Sequence, residues 1–411
     1  MQTKQIHWSS LLTLLVVGIS LAVLILLVAA MGIASLMDLF SKSSDAASPM
    51  IGAFAFGFIA LLLVLCGWFV LEKTRGLEKA DLPFKLPFAL WHWAVIIPLV
   101  GFGILFGALI TLAKFPWLNW LVLPTLTILV IVPPIWLLFG TASNGIELGP
   151  RWRFFSILSL SMTVAPVIMI VLEIVILLAI IIAGVVYIAM TQPDLVYELE
   201  SMALFANENM SEEALLAWLT PYITNPYLIG TGIGYIAVIV PLIEELLKPL
   251  AVWLFARQID SPAQGFAMGV LSGAGFALVE SLNASADGGT SWAVIVAART
   301  GTSMLHMLTS GLVGWGIVSA FKEKRAGRFF AAYFSAILIH GIWNASAIGT
   351  GISAIGESVG RPEWLFNYAP ALLCGLMIVG IGVVTLLIAF NRKLRKQTEL
   401  AISEEMVESP A

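Results

Sequence analysis

Glu244, Glu245 and Lys248 stand in the run Tyr235-Ile-Ala-Val-Ile-Val-Pro-Leu-Ile-Glu-Glu-Leu-Leu-Lys-Pro-Leu-Ala-Val-Trp-Leu-Phe255, which is otherwise apolar enough to lie in a bilayer. An ionisable side chain at bilayer depth costs roughly 2.5–3.5 kcal/mol on insertion scales, so three so close together need a compensating purpose. More polar residues follow in apolar surroundings: Glu280 in Gly275-Phe-Ala-Leu-Val-Glu280, and Arg299 and His306 in Arg299-Thr-Gly-Thr-Ser-Met-Leu-His306-Met-Leu-Thr-Ser-Gly311. His340 and Asn344 come next, in His340-Gly-Ile-Trp-Asn344. On an ideal helix, residues four apart share a face, so Glu244 stacks on Lys248 and His340 on Asn344, while Glu245 turns about 100° away.

Carboxylates and imidazoles in a water-accessible pocket are the components of hydrolysis. Glutamate can take a proton from water or hold a metal. Histidine can act as base, metal ligand or proton donor. Asn344 carries two amide N–H groups that could serve an oxyanion. No cysteine lies near, and Ser303 or Ser310 would need a histidine to activate it, which is less economical. Quieter readings compete. Glu244 and Lys248 could be an internal ion pair without chemistry, Arg299 reads as structural or interfacial, and Glu173 stands alone in its span. Glu and His chains also carry protons through transporters.

The elements that must position these residues are legible in composition. Of 411 residues, 60% are hydrophobic and 11% charged, against roughly 25% charged in soluble domains, and the mean hydropathy is +0.98. The chain therefore reads as an all-α, polytopic membrane protein. No basic run is long enough for nucleic acid. Cys66 and Cys374 both fall in apolar spans and support neither a disulfide nor a cysteine metal site. Hydropathy places ten transmembrane spans near 11–37, 51–71, 88–113, 117–139, 157–190, 229–256, 263–283, 292–321, 329–350 and 367–390. The first is too long for a signal-peptide core and reads as a retained helix. With the N-terminus cytoplasmic, sixteen of the 21 Lys and Arg residues fall inside and three outside, Lys248 and Arg299 lying within spans. Both termini are therefore expected in the cytoplasm. The expected organisation is an N-terminal bundle of five helices over 1–190, an acidic outside loop over 191–226, a four-helix catalytic core over 227–350, a last helix over 351–390, and a cytoplasmic tail over 391–411. Ser211 is placed to cap a short amphipathic helix in the loop.

Counting about 1.5 Å per residue from the cytoplasmic charges puts Glu244, His306, His340 and Asn344 at heights of about 18–24 Å, one layer drawn from three helices. Glu280 and Arg299 come out nearer 30 and 35 Å, where they could pair. Gly265, Gly269 and Gly273 form a small-residue stripe that lets a neighbouring helix approach.

Four of these segments together resemble a family. Glu244-Glu245-Leu-Leu-Lys248 matches an E-E-x-x-K motif and Phe276-Ala-Leu-Val-Glu280 an F-x-x-x-E motif; His306 with Gly311, then His340 with Asn344, follow on successive spans. The region from about Gly230 to Gly349 is similar to the PrsW family of intramembrane peptidases, distantly related to the CAAX-prenyl endopeptidase and Abi group. In that wider group E-E-x-x-R is usual and the second motif ends in histidine. Asn344 departs from the aspartate more usual in PrsW members and agrees with the CAAX-peptidase pattern. The resemblance implies a peptidase that cuts membrane proteins, often in site-one cleavage of an anti-sigma factor. It implies Glu244 as base on water, Glu245 as its helper, His306 holding the water or a metal, and His340 with Asn344 stabilising the oxyanion. Lys248 and Glu280 would support them. The family is commonly labelled metallopeptidase, while a glutamate-only mechanism is argued for its relatives. The cofactor is thus open, a divalent metal such as zinc being the candidate, with His306, His340 and either Glu280 or Glu244 as ligands.

The leading expectation is an intramembrane endopeptidase in the cell membrane, acting on a membrane protein or peptide. The alternatives are a proton-coupled transporter or channel built on the same polar layer, and an inactive member kept as a scaffold.

Overall fold

The computed structural model describes residues 7–41, 43, 45–113, 115–194, 196–197, 200–201, 211, 214, 220, 224–354 and 367–408. Among them ten helices are long and apolar enough to cross a membrane: α1 Trp8–Phe40, α2 Ala47–Thr74, α3 His92–Leu112, α4 Pro116–Ser143, α5 Arg151–Thr191, α6 Pro226–Phe255, α7 Pro262–Ala284, α8 Trp292–Glu323, α9 Ala326–Ser353 and α10 Ala369–Gln397. No strand occurs among the described residues. A multi-pass, all-α membrane protein is the architecture, as hydropathy indicated. The reason is general: lipid offers no partner for N–H and C=O groups, so an apolar segment must satisfy them internally. Each expected span coincides with one helix. The largest shifts at a helix start and a helix end are at Arg151, six residues before the expected start of the fifth span, and at Gln397, past the expected end of the tenth.

Local chemistry marks the helix starts. Pro116, Pro226 and Pro262 sit in the first helical turns, where a missing N–H costs nothing. Asn225 Oδ1 accepts from Tyr227 N at 2.9 Å and Ser261 Oγ from Gln264 N at 3.2 Å, each satisfying an otherwise orphaned donor. The expected helix after Ser211 lies mostly outside the described residues; within them, Ser211 Oγ accepts from Ala214 N at 3.2 Å.

The helix carrying the acidic pair is the irregular one. α6 runs as an α-helix over Pro226–Gly234, widens into a π-turn over Tyr235–Ile239, resumes over Val240–Leu247, and restarts over Leu250–Phe255 after a turn at Lys248 and Pro249. Pro249 has no N–H to give the ladder, which breaks there.

The chain divides into two compact units, the first comprising Met1–Pro166, Glu245–Ala336 and Gly380–Ala411, the second Val167–Glu244 and Ile337–Val379. In the first unit, α7 and α8 form the interior: 89% of the most apolar stretch of α7 is buried and 72% of that of α8, against 11% for α1. The glycine stripe is the cause. A Cβ on Gly269 would collide with Ser310 O, and one on Gly273 with His306 O, so the two helices touch backbone to backbone. Trp292, fully buried, donates from Nε1 to Thr127 Oγ1 at 2.9 Å and ties α8 to α4. In the second unit, Tyr235 Oη donates to Glu173 O at 2.7 Å, joining α6 to α5. Gly341 of α9 lies where a side chain would meet Ala237 O of the π-turn.

Candidate active site

In the first unit, the break after Leu247 sets the position of Lys248. Its carbonyl accepts from Ser272 Oγ at 2.5 Å, and Ser272 Oγ is 2.7 Å from Ser161 Oγ. Leu246 O is taken by Trp253 Nε1 at 3.2 Å. These bonds serve carbonyls that a continuous helix would have served itself. The turn directs the lysine side chain inward, where Nζ donates to Glu245 Oε1 at 2.8 Å and to His306 Nδ1 at 2.7 Å, with the Phe276 ring centroid 5.1 Å away. Lys248 and Glu245 are both fully buried.

The rest of the cluster follows from donor and acceptor capacity. An ammonium has no acceptor, so His306 Nδ1 accepts and the proton of the neutral ring sits on Nε2. Nε2 lies 2.7 Å from Glu280 Oε2 and so donates to that carboxylate. Arg299 Nη2 lies 2.6 Å from the same oxygen. The ring of Phe276 meets His306 edge-on at 5.0 Å and closes the apolar side. The result is a continuous chain Glu245–Lys248–His306–Glu280–Arg299, in which each charge meets its opposite or a ring nitrogen.

Three of these contacts were legible only in part. The expected pairing of Glu280 with Arg299 is present. The depth count, however, separated Glu280 from His306, and their bond corrects it, because a straight rise per residue ignores helix tilt and the reach of a glutamate. The four-residue spacing stacks Glu244 on Lys248; the carboxylate at 2.8 Å from Lys248 Nζ is that of Glu245, three residues before it and likewise a same-face neighbour on a helix. Ser161 and Ser272 belong to none of the motifs above. The one available signal was a serine between Gly269 and Gly273 on a face otherwise made of small residues.

In the second unit, Glu244 Oε2 lies 3.8 Å from His340 Nε2, both side chains buried. Four residues on, Asn344 Nδ2 donates to Ile236 O at 3.0 Å. Ile236 belongs to the π-turn, whose i→i+5 pattern departs from the regular ladder. One amide N–H of Asn344 is therefore spent on holding α9 to α6, and the amide carries a second. The close approach allowed by Gly341 is what brings the asparagine within reach.

Each unit by itself holds donors of the kind a divalent ion takes. Glu245 and His306 in the first, and Glu244 and His340 in the second, are buried and each offers one carboxylate oxygen or imidazole nitrogen. Glu244 and Glu245 are joined by the peptide bond at which the two units divide. A carboxylate oxygen with an imidazole nitrogen, as Glu245 and His306 offer within the first unit, is a donor pair suited to zinc and its neighbours. Glu280 on His306 Nε2 has the form of the outer carboxylate that commonly orients a ligating histidine. On these grounds the residues fit a metal.

Residues 171–366 match the family model described as PrsW family intramembrane metalloprotease, a span holding every site residue named above except Ser161. No curated protein and no solved structure matches the chain. The transporter alternative finds no support in these comparisons.

Proposed function

We propose that this chain is an intramembrane protease of the PrsW family, whose model residues 171–366 match, and that it cleaves a peptide bond of a membrane protein or peptide with water activated at Glu244. Three tasks must be met: removing a proton from water, stabilising the oxyanion, and returning a proton to the leaving amine. Glu244, buried beside His340 with 3.8 Å between Oε2 and Nε2, carries the reading. We assign it as the base that takes the water proton and hands it to the amine nitrogen. His340 steadies that carboxylate, and the second N–H of Asn344 serves the oxyanion. Glu245 and His306 would hold a divalent ion. Such an ion, when bound, would lower the pKa of water and polarise the scissile carbonyl. Glu280 then orients His306 instead of acting as a ligand, and Arg299 holds Glu280. Residues 227–350 form the peptidase core in this reading, within a cell membrane and with both termini cytoplasmic, as the distribution of Lys and Arg indicates.

The test is cleavage of a membrane-embedded peptide substrate by the reconstituted protein. Glu244→Gln keeps the shape and removes the base, so the rate should fall about 10²–10⁴-fold with an unchanged melting profile. Wild-type cleavage by this variant would refute the assignment.

A further inference from the structure

We propose that Lys248 is a tethered placeholder cation: its Nζ occupies the position between Glu245 Oε1 and His306 Nδ1 that a metal ion takes, and it leaves when the ion enters. The inference rests on the metal reading above and concerns what that site does without its ion.

The argument begins with His306. Its Nε2 is engaged by Glu280 Oε2 at 2.7 Å, the arrangement in which an outer carboxylate fixes a histidine so that the other nitrogen faces the metal. The metal-facing nitrogen is therefore Nδ1, and its lone pair is directed at Lys248 Nζ, 2.7 Å away. One lone pair cannot serve an ammonium and a metal at once. Glu245 Oε1 is shared in the same way, at 2.8 Å. A fully buried carboxylate left without a counter-charge is strongly destabilising, so some cation must stand beside Glu245 at all times. Lysine suits a temporary one. It is a compact charge on a flexible four-carbon stem, and it coordinates nothing in a fixed geometry. Lys248 also follows the last residue of a helical segment and abuts a proline, so its backbone lies outside a regular helical turn. The face of Phe276, 5.1 Å from Nζ, adds a cation–π contact to the ammonium where it stands.

Two consequences follow. The protein keeps its buried carboxylate neutralised before metal arrives, and the ion binds more weakly than its ligands alone would dictate, because it must displace a resident charge.

The experiment uses the full-length protein in detergent, with zinc as the probe. Zinc affinity is read by competition with a chromophoric chelator, zinc content by elemental analysis, and melting with and without zinc. Lys248→Met removes the charge at similar length. It should bind zinc about 5–150-fold more tightly, the usual range of a coupling between two binding events. Its zinc-free form should melt below wild type and recover when zinc is added. Should that variant fail to fold without zinc, the zinc-loaded structure of the wild type decides: Lys248 Nζ should lie beyond hydrogen-bond distance of His306 Nδ1. Equal zinc affinity in wild type and Lys248→Met, or a zinc-loaded structure that keeps the Lys248–His306 bond, would overturn the placeholder role while leaving the metal reading in place. Absence of zinc from both proteins at saturating zinc would overturn the metal reading, and the placeholder with it.

Discussion

Gly273→Ala tests whether the glycine stripe serves the site as well as the packing. A Cβ at Gly273 would sit 2.9 Å from Met307 Cα, against an ordinary contact of 3.4 Å or more, and still nearer His306 O. Both neighbours are backbone, so no rotamer change relieves the clash. α8 must retreat by about 0.5 Å or more at this turn, an overpacking strain of about 1–3 kcal/mol. The retreating residue is His306, whose two ring bonds, to Lys248 and Glu280, are both 2.7 Å long. A shift of that size carries them to the limit of good hydrogen-bond geometry. Cleavage should fall on the order of tenfold to a hundredfold, as for misplacement of a catalytic group. Gly265→Ala is the control. There the intruding Cβ meets the Val318 side chain and Gly314 O, eight residues or more along α8 from His306, so stability should drop while cleavage per folded molecule holds. Denaturant unfolding in detergent and cleavage of a membrane-embedded peptide give the two readings. If Gly273→Ala cleaves at the wild-type rate, or Gly265→Ala loses activity equally, the coupling of the stripe to His306 is refuted.

Asn344→Ala removes the 3.0 Å bond to Ile236 O and should cost about 0.6–1.7 kcal/mol of stability, as for hydrogen bonds between membrane helices. If the second N–H serves the oxyanion, cleavage should fall about 10²–10³-fold, and Asn344→Asp, which has no N–H to give, should rescue neither quantity. A loss of stability with full activity would confine Asn344 to helix packing. At the other end of the chain, His7 caps α1 by accepting from Ser10 N at 3.3 Å through Nδ1. Burial, reinforced by the nearby Lys73 charge, holds its pKa below the usual 6.5. The folded state thus favours the neutral ring. Its stability contribution is present above that ordinary value and is lost as pH falls through the depressed one. Melting temperatures of wild type and His7→Asn, which keeps a capping acceptor, should diverge in acid, with the wild type losing more; parallel profiles would contradict the cap.

What could be read from the chain follows from what is additive along it. Transfer of apolar residues into lipid sums locally, so ten spans and the membrane class were evident from composition and runs alone. The residue types capable of hydrolysis, and the four-residue glycine repeat of α7, are equally local facts. The pairing of Glu280 with Arg299 was also within reach, since both lie toward the ends of their helices that meet between α7 and α8.

The wiring of the site was decided elsewhere. Periodicity assumes 3.6 residues per turn, and α6 departs from it twice, in the π-turn at Tyr235–Ile239 and in the break before Pro249. The first presents Ile236 O to Asn344; the second falls at Lys248, whose Nζ meets Glu245 and His306. Neither departure is written in hydropathy, because both exchange partners among polar groups without altering the burial of the surrounding apolar residues. Which carboxylate meets which cation depends on atoms within about 3 Å of each other on segments far apart in sequence. Only the packed structure, with Ser272 holding the broken turn and glycines letting the backbones touch, sets that distance.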